Sequence, residues 1–388
     1  MLPMTTATRV EASSPRVVLI AKPGGAHTGV GRYVQMLHRA LSEDGAQVER
    51  IAPTVPPLPN AAYSAIRRLG PDLRTFFLNY PVAAKYPSAD VYHLTSQNLA
   101  SLLLFRRPPG RVIVTVHDII PFMVRNDPQF TSYRNAADPI FDRMAMAGLR
   151  RADALIADSH YTRQSVVDLL KIAPEKIAVA HLGIDHGRFQ QLSVPESLAE
   201  RYGLPNNRRY LIYVGSEDPR KNLVTLIRAL PALRREVPEI ALIKVGRAHF
   251  EAERRRLLDL AAELGVGAAI HFLDDVQDED LPLLYNLAEV CVMPSHYEGF
   301  GFPVLEAMAC GTPVVSARAS SLPEIVGDAA IQFDPGDPHD LAQAVGTLLR
   351  DDAIRQQKIR AGAAQAAQFT WQRTVAHTLR WYAAPKQA

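Results

Sequence analysis

Short apolar segments alternate with helical patterns along most of the chain, and this alternation limits the possible folds more than any other feature. Each segment is typical of a buried strand. In the first half the segments lie at residues 16–22, 47–52, 90–94, 111–116, 154–157 and 177–179. Buried strands that alternate with helices form parallel sheets with helices on both faces. The sequence therefore predicts an α/β fold with a doubly wound, Rossmann-like sheet.

The same pattern starts again after a polar stretch at residues 193–209. Strand-like segments follow at 210–215, 241–246, 269–273, 290–294 and 313–316. A chain of 388 residues has room for two or three domains of about 150 residues each. We predict a flexible segment at 1–15, a first Rossmann-like domain at 16–200 and a second at 208–365. A last helix is predicted at 363–382 with an interruption near Phe369, and residues 366–388 are expected to cross back to the first domain.

The composition excludes several classes of protein. Lys and Arg number 43 and Asp and Glu 40, a balance unlike that of a protein that binds nucleic acid through its phosphates. Two cysteines are too few for a disulfide framework and indicate a reducing cytoplasm. Residues 1–15 lack the apolar region of a signal peptide, and no apolar run is long enough to span a bilayer. We therefore expect a cytoplasmic protein.

Four glycines lie in the first strand-to-helix connection, residues 23–31 (PGGAHTGVG), before a helix predicted at 31–44. Glycines let backbone N–H groups at a helix N-terminus approach an anion, so Gly29 and Gly31 are candidates for binding a phosphate or diphosphate. The connection matches neither G-x-G-x-x-G nor the phosphate-loop motif, which argues against a nicotinamide cofactor and against ATPase chemistry. A tight turn without a ligand is the alternative.

Two glutamates in the second half flank a run rich in glycine and phenylalanine. Glu298 follows strand 290–294, and Glu306 is predicted in the first turn of a helix that begins at Pro303 and ends before Gly311. The run between them is Gly299, Phe300, Gly301 and Phe302. A sugar nucleotide needs backbone donors for its diphosphate and carboxylates that accept from its hydroxyls. The alternatives are a solvated loop acid for Glu298 and a helix-dipole role for Glu306.

Two basic residues follow strand 210–215, which ends at Gly215. Arg220 and Lys221 come just before a helix predicted at 223–230, where positive charge opposes the helix dipole. A bound diphosphate would explain them, since Arg can bond two phosphate oxygens and Lys acts as a point charge. A solvated pair is the alternative.

His117 and Asp118 follow strand 111–116, at the carboxyl edge of the first predicted sheet. His117 there could bind a substrate hydroxyl or transfer a proton. A structural histidine, with Asp118 as a cap, is the alternative. We interpret Asp278, Glu279 and Asp280 as N-terminal caps of a helix at 281–288 rather than as metal ligands. No metal site is predicted, because no His/Cys cluster has zinc-site spacing.

Together these motifs resemble the retaining GT-B glycosyltransferases of family 4, the glycosyl transferases of group 1. The resemblance is carried by residues 28–33, 114–118, 157–159, 181–185, 213–215 and 220–222. It is strongest at residues 298–315 (EGFGFPVLEAMACGTPVV), which have the family's two glutamates with seven residues between them. The resemblance implies two Rossmann-like domains facing a cleft, a nucleotide-sugar substrate, and neither a metal nor another cofactor.

The resemblance also implies roles for individual residues. Glu306 would bind the ribose and Glu298 the transferred hexose, Arg220 and Lys221 would bind the diphosphate, and His117 would touch the donor sugar. The implied catalytic residues are His117, Glu298, Arg220 and Lys221. The implied donor-binding residues are Gly29, Gly31, Gly215, Arg220, Lys221, Val276, Glu298, Gly299, Phe300, Gly301, Phe302 and Glu306. Family members retain anomeric configuration, which implies attack on the face that the phosphate leaves.

Donor and acceptor are the least constrained features. Residues 116–121, 157–162 and 321–324 resemble a mannosyltransferase-like branch, which implies GDP-mannose, with UDP-glucose and similar donors as alternatives. The base is expected against the backbone of residues 271–276. Residues 63–86 are aromatic and basic, and would form an acceptor loop or contact a membrane surface. The acceptor would be a glycan, a glycolipid or a small molecule.

Two other functions and the oligomeric state stay open at this point. A sugar-nucleotide 2-epimerase has the same two-domain architecture and a diphosphate cleft. A non-catalytic nucleotide-sugar-binding protein would also have the cleft, although the intact set of candidate residues argues for activity.

Overall fold

The computed structural model describes residues 15–23, 29–55, 77–133, 137–248 and 251–384. The predicted segment 1–15 lies almost entirely outside them, and so does the greater part of segment 63–86. Within the described residues the chain forms two sheets of six parallel strands each, which confirms the predicted α/β fold.

The strands of the first sheet are β1 (Arg16–Ile20), β2 (Gln47–Ile51), β3 (Val91–Leu94), β4 (Arg111–Val116), β5 (Ala154–Ala157) and β6 (Ile177–Val179). Their order across the sheet is β2-β1-β3-β4-β5-β6. The strands of the second sheet are β7 (Arg209–Val214), β8 (Ile240–Val245), β9 (Ile270–Leu273), β10 (Val290–Met293), β11 (Val314–Ala317) and β12 (Ile331–Phe333). Their order is β12-β11-β10-β7-β8-β9.

The helices of the first half are α1 (Gly29–Glu43), α2 (Leu102–Phe105), α3 (Ile120–Met123), α4 (Asp138–Leu149), α5 (His160–Leu170) and α6 (Ser197–Arg201). Those of the second half are α7 (Leu223–Glu236), α8 (Glu251–Glu263), α9 (Leu281–Leu287), α10 (Phe302–Ala309), α11 (Leu322–Val326), α12 (Pro338–Arg350), α13 (Asp352–Ala366) and α14 (Trp371–Ala383). We call β1 to β6 with their helices the first unit, and β7 to α13 the second unit.

Every strand predicted from the sequence is present, with small shifts at its ends. The edge strand β12 was not predicted. The prediction of one helix at 363–382 is wrong at its start. α13 begins at Asp352, where the Asp351 side chain accepts a hydrogen bond from the Ile354 N–H (3.0 Å) and caps the helix. The predicted interruption near Phe369 is confirmed, since Phe369 lies between α13 and α14.

Each sheet has one point at which its strand order reverses, between β1 and β3 in the first and between β7 and β10 in the second. The loops that follow neighbouring strands on either side of such a point diverge and leave a crevice, which is where sheets of this kind bind ligands. In the second sheet these loops hold residues 215–222 and 294–301, which contain the basic pair and the first glutamate.

The last helix returns to the first unit. α14 packs against α1, and the Tyr382 hydroxyl lies 2.6 Å from Nδ1 of His93 on β3. The Thr374 hydroxyl donates to the carbonyl of His181, which follows β6 (2.8 Å). The last helix, which follows the second unit in sequence, therefore packs against the first unit. In the described part of the chain, no helix combines the length and the apolarity that crossing a bilayer requires.

Candidate active site

Lys221 and Glu298 meet at the switch point of the second sheet. Lys221 Nζ donates to Glu298 Oε1 (2.5 Å), and the Ser295 hydroxyl donates to the same oxygen (2.9 Å). Only 15% of the Lys221 side chain and 9% of the Glu298 side chain are exposed. Burial alone would raise the pKa of Glu298, but the charges of Lys221 and Arg220 hold it below its usual value. Glu298 is therefore an ionised acceptor at neutral pH.

Backbone geometry aims the two basic side chains. Asn222 has a left-handed backbone (φ 59°), and its side-chain amide donates to the Pro294 carbonyl (2.9 Å), which ties the loop after β7 to the loop after β10. Arg220 Nη1 donates to the Tyr297 carbonyl (3.0 Å). Arg220, Lys221 and Glu298 thus form one cluster at the carboxyl edge of the sheet.

Glu306 lies on α10, whose N-cap is Gly301. Gly301 has φ 120°, a conformation that L side chains rarely adopt. Because α10 begins at Phe302, Glu306 is its fifth residue, and the prediction that it lies in the first turn is wrong. The Tyr285 hydroxyl donates to Glu306 Oε2 (3.0 Å), and Arg32 Nη1 donates to Oε1 (2.7 Å) from α1 of the first unit.

Arg32 and Tyr285 were not among the predicted site residues. Arg32 lay within the motif at residues 28–33, which was the one available signal. The sequence did not mark Tyr285 as a site residue, because an aromatic residue on an amphipathic helix is typical of the hydrophobic core. The sequence separation of 274 residues between Arg32 and Glu306 leaves no local pattern for the pair.

His117 is held by the first unit on both of its ring nitrogens. Nδ1 donates to Asp158 Oδ2 (2.6 Å) and Nε2 donates to the Thr95 carbonyl (2.9 Å). Burial disfavours the charged ring, but the Asp158 carboxylate raises the pKa of His117 above its usual value. Asp118 Oδ1 accepts from the Ile120 N–H (3.0 Å), as in the structural alternative. In this arrangement neither ring nitrogen of His117 is open to a substrate.

The loop between Glu298 and α10 docks on the first unit. A Cβ at Gly299 would lie 2.2 Å from the His117 carbonyl oxygen, so only glycine fits here. The Ser159 hydroxyl donates to the Gly299 carbonyl (2.8 Å). Phe300 is buried, and its ring centroid lies 5.3 Å from that of Phe302. The run 299–302 therefore joins the two units at the edge of the cleft.

A cavity of about 330 Å³ opens between the units beside Glu306. Its lining includes Arg32, Phe302, Glu306, Asp185 and Arg188. This volume is at the lower end of the range for small-molecule sites, about 300 to 1,000 Å³.

The other predicted donor-binding residues lie around the same edges. Gly29 begins α1 and Gly31 is in its first turn, while the glycines at 24 and 25 are outside the described residues. Gly215 follows β7 directly, and Val276 is half-buried in the loop after β9.

Among the described residues, one group of three side chains, His160, His181 and Glu324, could hold a metal ion, with ligand atoms within 4.8 Å of one another. It lines a separate cavity of about 580 Å³. Here Glu324 of the second unit accepts from His181 Nε2 (2.5 Å) and from the N–H of His160 at the start of α5 (2.8 Å). The group links the two units.

The interpretation of residues 278–280 as helix caps is wrong for Asp280, whose side chain makes no capping bond. It accepts from Arg201 Nη1 (2.7 Å) and the Tyr202 hydroxyl (2.7 Å) instead. A charged partner supplied by α6 thus outcompetes the local backbone for this carboxylate.

Comparison with known proteins decides the family. The Glycosyltransferase Family 4 family matches residues 27–188, and the Glycosyl transferases group 1 family matches residues 196–365. The O-antigen chain mannosyltransferase B of Escherichia coli is 33% identical over 282 residues, which are 70% of each chain. The chain belongs to the group 1, family 4 glycosyltransferases.

A second curated relative and a solved structure are also similar to this family 4 member. The serotype-specific mannosyltransferase WbdA of Escherichia coli is 32% identical over 281 residues, which are 69% of this chain and 32% of WbdA. The chain thus spans about a third of that relative. The structure of Anabaena HepE in complex with UDP and glucose superposes with a TM-score of 0.71 at 19% identity, covering 95% of this chain and 100% of that one. The family 4 chain therefore has the GT-B fold.

Proposed function

We propose that this glycosyltransferase moves a hexose from a nucleoside diphosphate sugar to an acceptor hydroxyl with retention of anomeric configuration, and that the donor is GDP-mannose. The observation that carries the proposal is the contact between Lys221 and Glu298. Lys221 is a cation suited to phosphate, and Glu298 is a carboxylate suited to sugar hydroxyls. In the donor, the phosphate and the sugar are neighbours across the bond that breaks. The two side chains therefore lie next to each other in the same way as the two groups that they would bind.

The remaining roles follow from this placement. Glu306 accepts from the ribose hydroxyls, and Arg220 and Lys221 bind the diphosphate. The acceptor oxygen bonds to the anomeric carbon on the face that the phosphate leaves, and the departing phosphate oxygen takes the acceptor proton. Fixed cations in a water-poor cleft stabilise the charge that develops on that oxygen, so no metal is required. Proton NMR of the product tests this scheme, because an inverted anomeric centre would contradict it.

We propose that His117 lies next to the donor sugar. Its ring lies at the carboxyl end of β4, paired with the Asp158 carboxylate (2.6 Å). Direct contact with the sugar would require its bond to the Thr95 carbonyl to open.

Similar proteins support mannose as the transferred sugar. Two relatives named for mannosyl transfer are 32% and 33% identical to this chain. HepE, with the same fold, binds UDP and glucose, so UDP-glucose is the alternative donor to compare. One of those relatives is named for O-antigen chains, which supports a glycan acceptor. We expect the enzyme to work in the cytoplasm, with contact to a membrane surface if the acceptor carries a lipid.

Mass spectrometry after incubation with GDP-mannose or UDP-glucose, with and without glycan and glycolipid acceptors, tests the proposal. A hexose added to an acceptor, with slow donor hydrolysis in its absence, is the expected result. A second sugar nucleotide formed from donor alone would indicate an epimerase. Binding without any turnover would indicate a non-catalytic protein.

A further inference from the structure

Arg32 crosses the cleft to the carboxylate that the proposed function assigns to ribose. It is the fourth residue of α1, in the first unit, and its Nη1 lies 2.7 Å from Glu306 Oε1 in the second unit. The Glu306 side chain is 2% exposed and that of Arg32 is 30% exposed. The guanidinium carbon lies 5.9 Å from the centroid of the Phe302 ring. This ion pair closes the cleft beside the cavity described above.

The ion pair and a bound ribose compete for the same oxygen atoms. Tyr285 donates to Glu306 Oε2 and Arg32 donates to Oε1, so each carboxylate oxygen already has a donor from the protein. A carboxylate oxygen can accept two hydrogen bonds, but a ribose that donates both of its ring hydroxyls to Glu306 must also reach Oε1. With Arg32 in place the Glu306 side chain is only 2% exposed, so nucleotide binding has to move Arg32.

A displaced Arg32 needs another anion, because leaving a largely enclosed charge unpaired is costly. The same ligand brings one. Its diphosphate is attached at the other side of the ribose, and a guanidinium can bond two phosphate oxygens at once. Arg32 also lies in the first turn of α1, and the free N–H groups and the dipole at a helix N-terminus favour a bound anion.

We propose that Arg32 is a positioning residue that exchanges partners: it pairs with Glu306 in the nucleotide-free protein and with the diphosphate once a nucleotide is bound. The inference rests on the proposed function, which assigns Glu306 to the ribose. Through this exchange Arg32 keeps the two units in contact when a phosphorylated ligand binds, whereas a nucleoside would break that contact and replace it with nothing.

The exchange has opposite consequences for two ligands. A nucleoside has to displace Arg32 and offers no phosphate in return, whereas a nucleoside diphosphate supplies the new partner. Arg32→Ala should therefore strengthen nucleoside binding by up to about tenfold and weaken nucleoside diphosphate binding by about tenfold or more, which is the size of one charge-assisted hydrogen bond. A purely structural role would move both affinities in the same direction.

The test uses the full chain with GDP and guanosine, and with UDP and uridine. Calorimetry gives the diphosphate affinities and saturation-transfer NMR those of the nucleosides. Arg32→Gln provides the same comparison if the alanine variant does not fold, and Arg32→Lys should be intermediate. Arg256→Ala is the matched control, since this exposed α8 arginine pairs only weakly with Glu253 (3.4 Å).

Opposite shifts for diphosphate and nucleoside, absent from the control, support the exchange. Shifts of the same sign, or no shift in either, overturn it while leaving the proposed function in place. If neither GDP nor UDP binds to the wild-type protein, the proposed function fails and the exchange fails with it. Glu306→Gln separates these cases, because it should weaken diphosphate binding whether or not Arg32 changes partner.

Discussion

Lys221 and Glu298 are the residues whose chemistry the site depends on most. Lys221→Ala would remove the charge-assisted bond to phosphate that we propose, and it leaves the buried Glu298 carboxylate without its cation. We expect kcat/KM for the donor to fall roughly thirtyfold to a thousandfold, which corresponds to about 2 to 4 kcal/mol of lost transition-state stabilisation. Arg220→Ala should have an effect of similar size. Steady-state kinetics measure both, and rates within threefold of wild type would remove these residues from the site.

The same site offers a stability test that does not need the substrate. The double variant Lys221→Ala with Glu298→Gln removes the unpaired charge, so it should recover part of the stability lost in Lys221→Ala alone. Urea unfolding of the two variants gives the difference.

His117 should make stability depend on pH above the ordinary range of histidine. Its pKa is raised in the folded protein, where Asp158 outweighs the burial that opposes the charge. A raised pKa adds stability that is fully present below about pH 6.5 and is lost as the pH rises through the folded-state pKa. The difference in melting temperature between wild type and His117→Gln should therefore shrink between pH 6 and pH 9. A difference that grows with pH would contradict the charged pairing.

At the scale of secondary-structure elements, the docking of loop 298–301 on the first unit depends on the absence of a side chain at Gly299. Gly299→Ala would place a methyl group against the backbone of His117, since a Cβ there would lie 2.2 Å from its carbonyl oxygen. The clash should lower the free energy of unfolding by about 1 to 3 kcal/mol, the usual cost of overpacking, and the displaced loop should lower kcat/KM as well. Gly267→Ala is the control, because its Cβ would meet nothing within 4 Å. Equal kinetics in the two variants would show that the loop contact is not needed for activity.

The elements themselves could largely be predicted from the sequence, and the contacts between them could not. Apolar runs such as Arg111–Val116 show a buried strand directly, and the order of such runs indicates a doubly wound fold. Asp280 could not be assigned, because its partner Arg201 lies 79 residues away on α6. The same holds for Arg32, which reaches Glu306 from the other unit, 274 residues away. Tyr285 lies in the same unit as Glu306, but their contact also depends on how α9 packs against α10. Local pattern identified the carboxylate and missed both of its donors.

For the whole molecule, the proposed chemistry uses fixed cations and no metal. Activity should therefore survive excess EDTA with little change, as measured by donor turnover after dialysis against the chelator. The group of His160, His181 and Glu324 belongs to a separate cavity, so a metal bound there would alter the closing of the units more than the chemistry. An absolute requirement for magnesium or manganese would contradict the scheme.

The central claim is that the cleft between the two sheets splits a sugar nucleotide at the point where Lys221 meets Glu298. The most direct measurement is the rate at which the wild type and Glu298→Gln release nucleoside diphosphate from GDP-mannose and from UDP-glucose at matched concentrations. We predict that wild type favours GDP-mannose by at least about tenfold in kcat/KM, roughly 1.4 kcal/mol, and that Glu298→Gln loses turnover of both donors. A Glu298→Gln variant as fast as wild type on either donor would contradict the account.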